Sequence, residues 1–237
     1  MEITKELAEA VKQLYDVFSC YPFKSTMEVC PCCVSDADKE QLHSNQLHEL
    51  SEDDLSRYTA KAIYTWGDED DFKHYLPRIF ELASTTNFIV DTFIVLEKLN
   101  LAGWTNWSED EQSSVKRFLY AWWENELQNK GEFNEELFIE CYTLMGDLNA
   151  LLSKWIINFS DFSFITYIDF IQNHLYSLIQ KDKEFKVLKD KDRELFIKWM
   201  KQESKHLEDG YFHFEENNKE LAQKASNALY IIERAFV

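Results

Sequence analysis

The stretch SEDEQSSVKRFLYAWWENEL, residues 108–127, decides how the chain is read. It opens with Ser108 and carries Glu111 three residues later, the S-x-x-E capping box that satisfies orphan amides at a helix start. Val115, Phe118, Leu119, Trp122 and Leu127 then recur at helical spacing, so one face is apolar. Neither glycine nor proline interrupts it. The same grammar recurs outward in both directions. Towards the N-terminus, Leu7, Val11, Leu14 and Phe18 stand four, three and four residues apart. Ser35 precedes Asp36-Ala-Asp38, and Ser51 precedes Glu52-Asp-Asp-Leu55, each a cap followed by first-turn acids that suit the helix dipole. The second of these continues through Tyr58, Ala62 and Ile63, and Gly67 reads as its end. Asp68 opens another helix, with Pro77 expected at a boundary or a kink, because proline lacks the amide hydrogen. Asn134, Asp147, Ser160-Asp161, Asp190 and Glu215 mark later starts.

The expected class is all-α: an irregular multi-helix bundle or a short solenoid of antiparallel helix pairs, with roughly nine or ten helices. Composition agrees. The 237 residues hold five glycines and three prolines, too few turn formers for a sandwich or barrel. No repeat of solenoid length recurs. A division is drawn between residues 1–130, a helical region with a cysteine-containing loop, and residues 131–237, an aromatic-rich helical region expected to pack on the first as one unit. The net charge of −18 disfavours nucleic acid, whose phosphates are bound by lysine and arginine. No run of about 20 apolar residues is available for a membrane span, and the acidic start does not read as a signal peptide. A cytoplasmic location follows as an expectation, and with it reduced thiols.

The chemistry is concentrated in the irregular segment from Ser19 to Val34, which holds four of the five cysteines and two of the three prolines. Cys30-Pro-Cys-Cys33 places a C-x-x-C in a tight turn, a spacing from which two thiolates reach one metal ion. Zinc is the candidate metal. Cys20, Cys32, His43 and His74 are further donors within reach in sequence, and Asp71 is an oxygen donor beside His74. Buried, inert thiols and thiol redox chemistry are the competing readings; the latter lacks the βαβ context of thioredoxin-like motifs. Glu40…His43 and Asp71…His74 each pair an acid with an imidazole three residues on, as di-iron helices do, but the remaining glutamates cannot be singled out. The acidic run Asp68–Asp71 does not meet the calcium-loop pattern and reads as a capped helix start. Trp104, Trp107, Trp122 and Trp123, and the group from Phe159 to Tyr176, read as core. Trp122 and Trp123 cannot face one way, so one of them is expected to be partly exposed or to meet a second element.

Cys30-Pro-Cys-Cys33-Val34, followed by Thr65-Trp-Gly-Asp68, Asp71-Phe72, His74 and Leu76-Pro-Arg-Ile-Phe-Glu-Leu82, resembles an uncharacterised family of soluble bacterial proteins. That family carries a C-P-x-C-V segment and a T-W-G-D…D-F-x-H-x-L-P-R block, and the likeness covers residues 20–125. It brings no activity. It implies that Cys30, Cys33 and His74 form one ligand set, with Cys32 in a variable slot and Asp71, His43 or water as the fourth ligand.

No phosphate loop, dinucleotide fingerprint, nucleophile elbow or H-E-x-x-H helix occurs. The sequence therefore favours a non-enzymatic acidic helical protein that acts through a protein partner, with a small structural zinc site. A zinc hydrolase using Cys30, Cys33, His74 and a metal-bound water is the alternative. An inhibitor or immunity protein against a basic partner is a second alternative, argued from charge alone.

Overall fold

The computed structural model describes residues 3–236, apart from the side chains at 183 and 184. It is all-helical, with thirteen α-helical segments and three short 3-10 turns among the described residues. No β-strand forms among them, and two isolated β-bridges meet at Trp66. The class is as the periodicity predicts, and the number of segments is somewhat higher. Part of the excess comes from single-residue breaks, at His174 and at Ser204, between helices that otherwise follow directly on one another. Among the described residues no helix is long and apolar enough to cross a membrane.

Two compact units divide the chain, Met1–Trp122 and Trp123–Val237. The first holds α1 (Lys5–Phe18), α2 (Asp36–Leu42), α3 (Glu52–Lys61), α4 (Glu69–Thr85) and α5 (Thr92–Leu101). The division falls inside α6 (Glu109–Asn129). The second holds α7 (Glu135–Met145), α8 (Leu148–Ser153), α9 (Ser163–Asn173), α10 (Leu175–Gln180), α11 (Asp190–Glu203), α12 (Lys205–Phe214) and α13 (Lys219–Ala235).

The caps read from sequence form. Ser35, Ser51, Asp68 and Ser108 each make a reciprocal box with the acid three residues on. Such a cap stabilises a helix by about 1 kcal/mol. Three expectations are corrected and one is narrowed. α3 stops at Lys61, well before Gly67, because Ile63 adopts a left-handed φ of 70° that no helix accommodates. Pro77 lies within α4, so of its two expected places the boundary is excluded; it costs the helix one hydrogen bond, and its apolar neighbours Leu76, Ile79 and Phe80 are buried. α9 begins at Ser163, with Asp161 accepting its amide proton. Glu215 ends α12, and α13 starts four residues later under the Asn218 cap.

In the second unit Trp123 packs on Phe133, Phe138 and Trp155 and donates its indole proton to the Leu151 carbonyl. Trp122 is also buried, against Phe118. The adjacent tryptophans thus take the second of the two expected routes, each meeting its own partners. Phe162 and Tyr176, by contrast, stay about half exposed.

Candidate metal centre

The cysteine segment is irregular backbone, and it is ordered by a β-bridge with its two flanking bonds, a turn, a buried valine and a lysine. Val29 bridges Trp66 in antiparallel fashion. The Cys30 amide donates to the Thr65 carbonyl at 2.9 Å, and Gly67 donates to the Glu28 carbonyl at 2.7 Å. Pro31 then turns the chain, and the Cys33 amide closes the turn onto the Cys30 carbonyl at 2.9 Å. Proline after the first turn residue presets the required φ. Val34 is buried behind the turn, and the Lys61 ammonium donates to the Cys33 carbonyl.

The T-W-G-D block has a structural role in this arrangement. Thr65 supplies the carbonyl that holds Cys30. Trp66 is 1% exposed and packs edge-on against Tyr58 at 5.4 Å, which anchors the loop. Gly67 has φ +74°, and a Cβ there would meet the Asp71 Cβ and Oδ2 at 2.9 Å. Asp68 and Asp71 exchange cap hydrogen bonds of 2.9 and 3.0 Å. A Gly67→Ala substitution is expected to cost about 1–3 kcal/mol through left-handed strain and overpacking. Urea unfolding checks this; a loss under about 0.3 kcal/mol would show that the loop yields freely.

The turn brings three thiols together. Cys30 Sγ lies 2.9 Å from Cys32 Sγ, and Cys32 Sγ lies 3.6 Å from Cys33 Sγ. All three sulfurs fall within 4.8 Å of one another, close enough to hold a metal ion between them. Cys32 is exposed; Cys30 and Cys33 are partly covered. Hydrogen bonds from the Cys32 thiol and the Cys32 amide, with those from Cys33, make Cys30 a stronger acid than an ordinary thiol. Cys32 is the converse: donation to Cys30 and Cys33 and their negative charge push it up to about 11. The pair of Cys30 and Cys32 therefore loses its first proton readily and its second reluctantly.

The other candidate ligands lie elsewhere. His74 is not in the cluster: its Nδ1 stands 2.9 Å from the Tyr21 carbonyl, and its ring meets Phe23 and Tyr75. Helical phase explains this, since His74 is one turn into α4 while the loop is tied to the residues before that helix. Asp71 is buried, committed to the Asp68 cap and to Lys24 at 3.2 Å. His43 packs edge-on to Phe23, and burial lowers its basicity. Cys20 is exposed and donates to the Val17 carbonyl at 3.6 Å. Cys141 is buried, and burial raises its pKa far above the ordinary thiol range. Cys32, read from sequence as the variable slot, is the central sulfur of the group.

Sequence reasoning did not find Lys61, nor the buried group of Tyr21, Lys73 and Glu111. Their partners stand 28 to 90 residues away, and no spacing rule reaches that far. Comparison of the chain with protein-family models, with curated proteins and with solved structures finds no match to any of them. The family likeness thus rests on the motif residues alone.

Proposed function

We propose that this chain is an acidic helical protein that binds one soft metal ion through Cys30, Cys32 and Cys33 and acts by contact with a partner protein. The observation that carries the reading is the convergence of three thiols on one accessible turn. Thiolate donors select zinc or monovalent copper. Three sulfurs leave a tetrahedral ion one position short. An exposed Cys32 lets that position be completed by water or by a donor from the partner. The charge of −18 favours a basic partner, because opposite potentials speed encounter. The hydrolase alternative is weaker on two counts. Asp71, its general base, is committed to Lys24 and the helix cap, and His74 belongs to another part of the unit.

The test is titration of the reduced protein with zinc and with cadmium, read by native mass spectrometry and thiolate charge-transfer absorption. One ion per chain is expected. Cys30→Ser, Cys32→Ser and Cys33→Ser should each weaken uptake by about a hundredfold or more, since each removes a thiolate ligand. His74→Phe should leave uptake unchanged. Uptake must also displace the Cys32 proton, so affinity falls as pH falls from 9 to 6 on the scale of about one proton per ion from that group. Absence of a stoichiometric ion, or a His74→Phe variant as impaired as the cysteine variants, would sink the proposal.

A further inference from the structure

His74, left out of the thiol cluster, stands between two cavities of about 580 and 650 Å³ in the first unit, and lines both. The smaller one has the character of a ligand site. Its volume lies within the usual ~300–1,000 Å³ of small-molecule pockets. Aromatic rings make much of its wall: Phe23, His43, His74 and Tyr75. Phe23 is half exposed, with the His43 ring edge-on at 4.9 Å and the His74 ring at 6.0 Å. Leu42 and Leu50 also line it and are buried.

The polar groups give the site a chemical preference. The Tyr21 carbonyl can only accept, so the Nδ1 of His74 carries the proton and, in the neutral ring, Nε2 is a bare acceptor. His43 Nε2 is buried and has no hydrogen-bond partner. Glu49 contributes an exposed carboxylate to the lining. Among the described residues, no lysine or arginine lines this cavity. Anions therefore find no cation to pair with. The aromatic rings suit a flat apolar ring, and the carboxylate with the imidazole acceptor suits an ammonium group.

We propose that this cavity binds a small aromatic ammonium compound, its ring against Phe23 and the histidine rings, and a donor N–H on His74 Nε2. The inference stands independently of the metal reading, because no cysteine lines the cavity.

The probes are tryptamine and, as its anionic counterpart, indole-3-acetate, titrated into the intact chain labelled at the histidine rings. The readout is the nuclear magnetic resonance signals of His43 and His74. Tryptamine should shift both rings saturably, with a dissociation constant of about 1 mM or tighter for a ligand of this size. Indole-3-acetate should not. His74→Phe keeps a ring in the wall and should weaken tryptamine about tenfold, the worth of one lost hydrogen bond to a charged group. Should that variant fold poorly, Glu49→Gln at the exposed position is expected to weaken tryptamine several-fold without disturbing the fold. The proposal is overturned if tryptamine leaves the two rings unshifted, if indole-3-acetate binds as tightly, or if tryptamine binds both variants like the native chain.

Discussion

Replacing Lys73 by methionine is expected to destabilise the protein by about 3–5 kcal/mol, the cost of leaving a buried carboxylate without its cation. Lys73 is 5% exposed and Glu111 6%. The ammonium stands 3.2 Å from Glu111 and 3.0 Å from Glu69, bonds the Tyr21 hydroxyl at 3.0 Å, and lies over the Trp107 ring at 4.4 Å. Tyr21 in turn donates to Glu111 at 2.5 Å, and Glu111 also caps α6 through Ser108. Every member of this group is thus partnered, which is what makes a buried network stabilising rather than a defect. Methionine fills the volume and removes the charge alone. The double variant Lys73→Met with Glu111→Gln should recover part of the loss, since it leaves no buried unpaired ion and Glu69 is half exposed.

The pH dependence follows from the same contacts. Burial alone would raise the Glu111 pKa, but bonds from Tyr21, Ser108 and Lys73 outweigh it and hold the carboxyl below its ordinary range. A depressed acid contributes stability that is full above the unfolded value of about 4.3 and is lost as pH falls through the folded value. Burial would lower the Lys73 pKa, and its three partners raise it instead. Its contribution is full below about 10.4 and is lost only in strong alkali. The deficit of Lys73→Met should therefore be largest near neutrality and shrink towards pH 4, as Glu111 of the variant, buried and without the ammonium, accepts a proton. Urea unfolding at pH 7 and pH 4 measures both. A deficit under about 1 kcal/mol at pH 7, or one that is the same at both pH values, would show that the group is not coupled as described.

Gly210→Ala should destabilise by about 3 kcal/mol, although glycine to alanine inside a helix ordinarily stabilises by about 1 kcal/mol. Gly210 lies within α12 and is buried. A Cβ there would stand 2.1 Å from the Phe164 Cζ and under 3 Å from both neighbouring ring carbons. Phe164 is itself fully buried, edge-on to Phe159 and stacked with Phe214, so its ring has no room to withdraw. The helix must shift or the ring must leave its rotamer. A cavity-forming Phe164→Leu change in the same chain should relieve the clash, so the double variant is expected to be more stable than the sum of the two single losses. Thermal melts of the four proteins check this. A Gly210→Ala variant that melts at or above the native temperature would overturn the close approach.

Much of the helical architecture was legible because its determinants are local. Ser35, Ser51, Asp68 and Ser108 cap helices through bonds to residues three positions on, and sequence spacing reports such bonds directly. Apolar periodicity likewise placed Leu7, Leu14, Phe118 and Leu119 in the core. Misreadings arose where a tertiary contact overrode the local signal. α3 ends early because the chain after Lys61 is drawn into the Trp66 loop, a choice visible only with Val29 in place. The boundary expected as one of two places for Pro77 rests on its lost hydrogen bond, which is local, while the burial that keeps it inside α4 is not.

For the candidate site, the sequence by itself determined the turn chemistry: a proline after Cys30 and thiols at positions close enough to meet. Only the tertiary structure decided which donors meet, setting Cys32 at the centre of the thiols and His74 against Tyr21, Phe23 and two cavities. The reason is the reach of the interactions. Turns and caps close rings of a few residues, whereas the meeting of a loop with a helix side chain depends on the rotational phase of that helix, which packing sets and spacing does not encode.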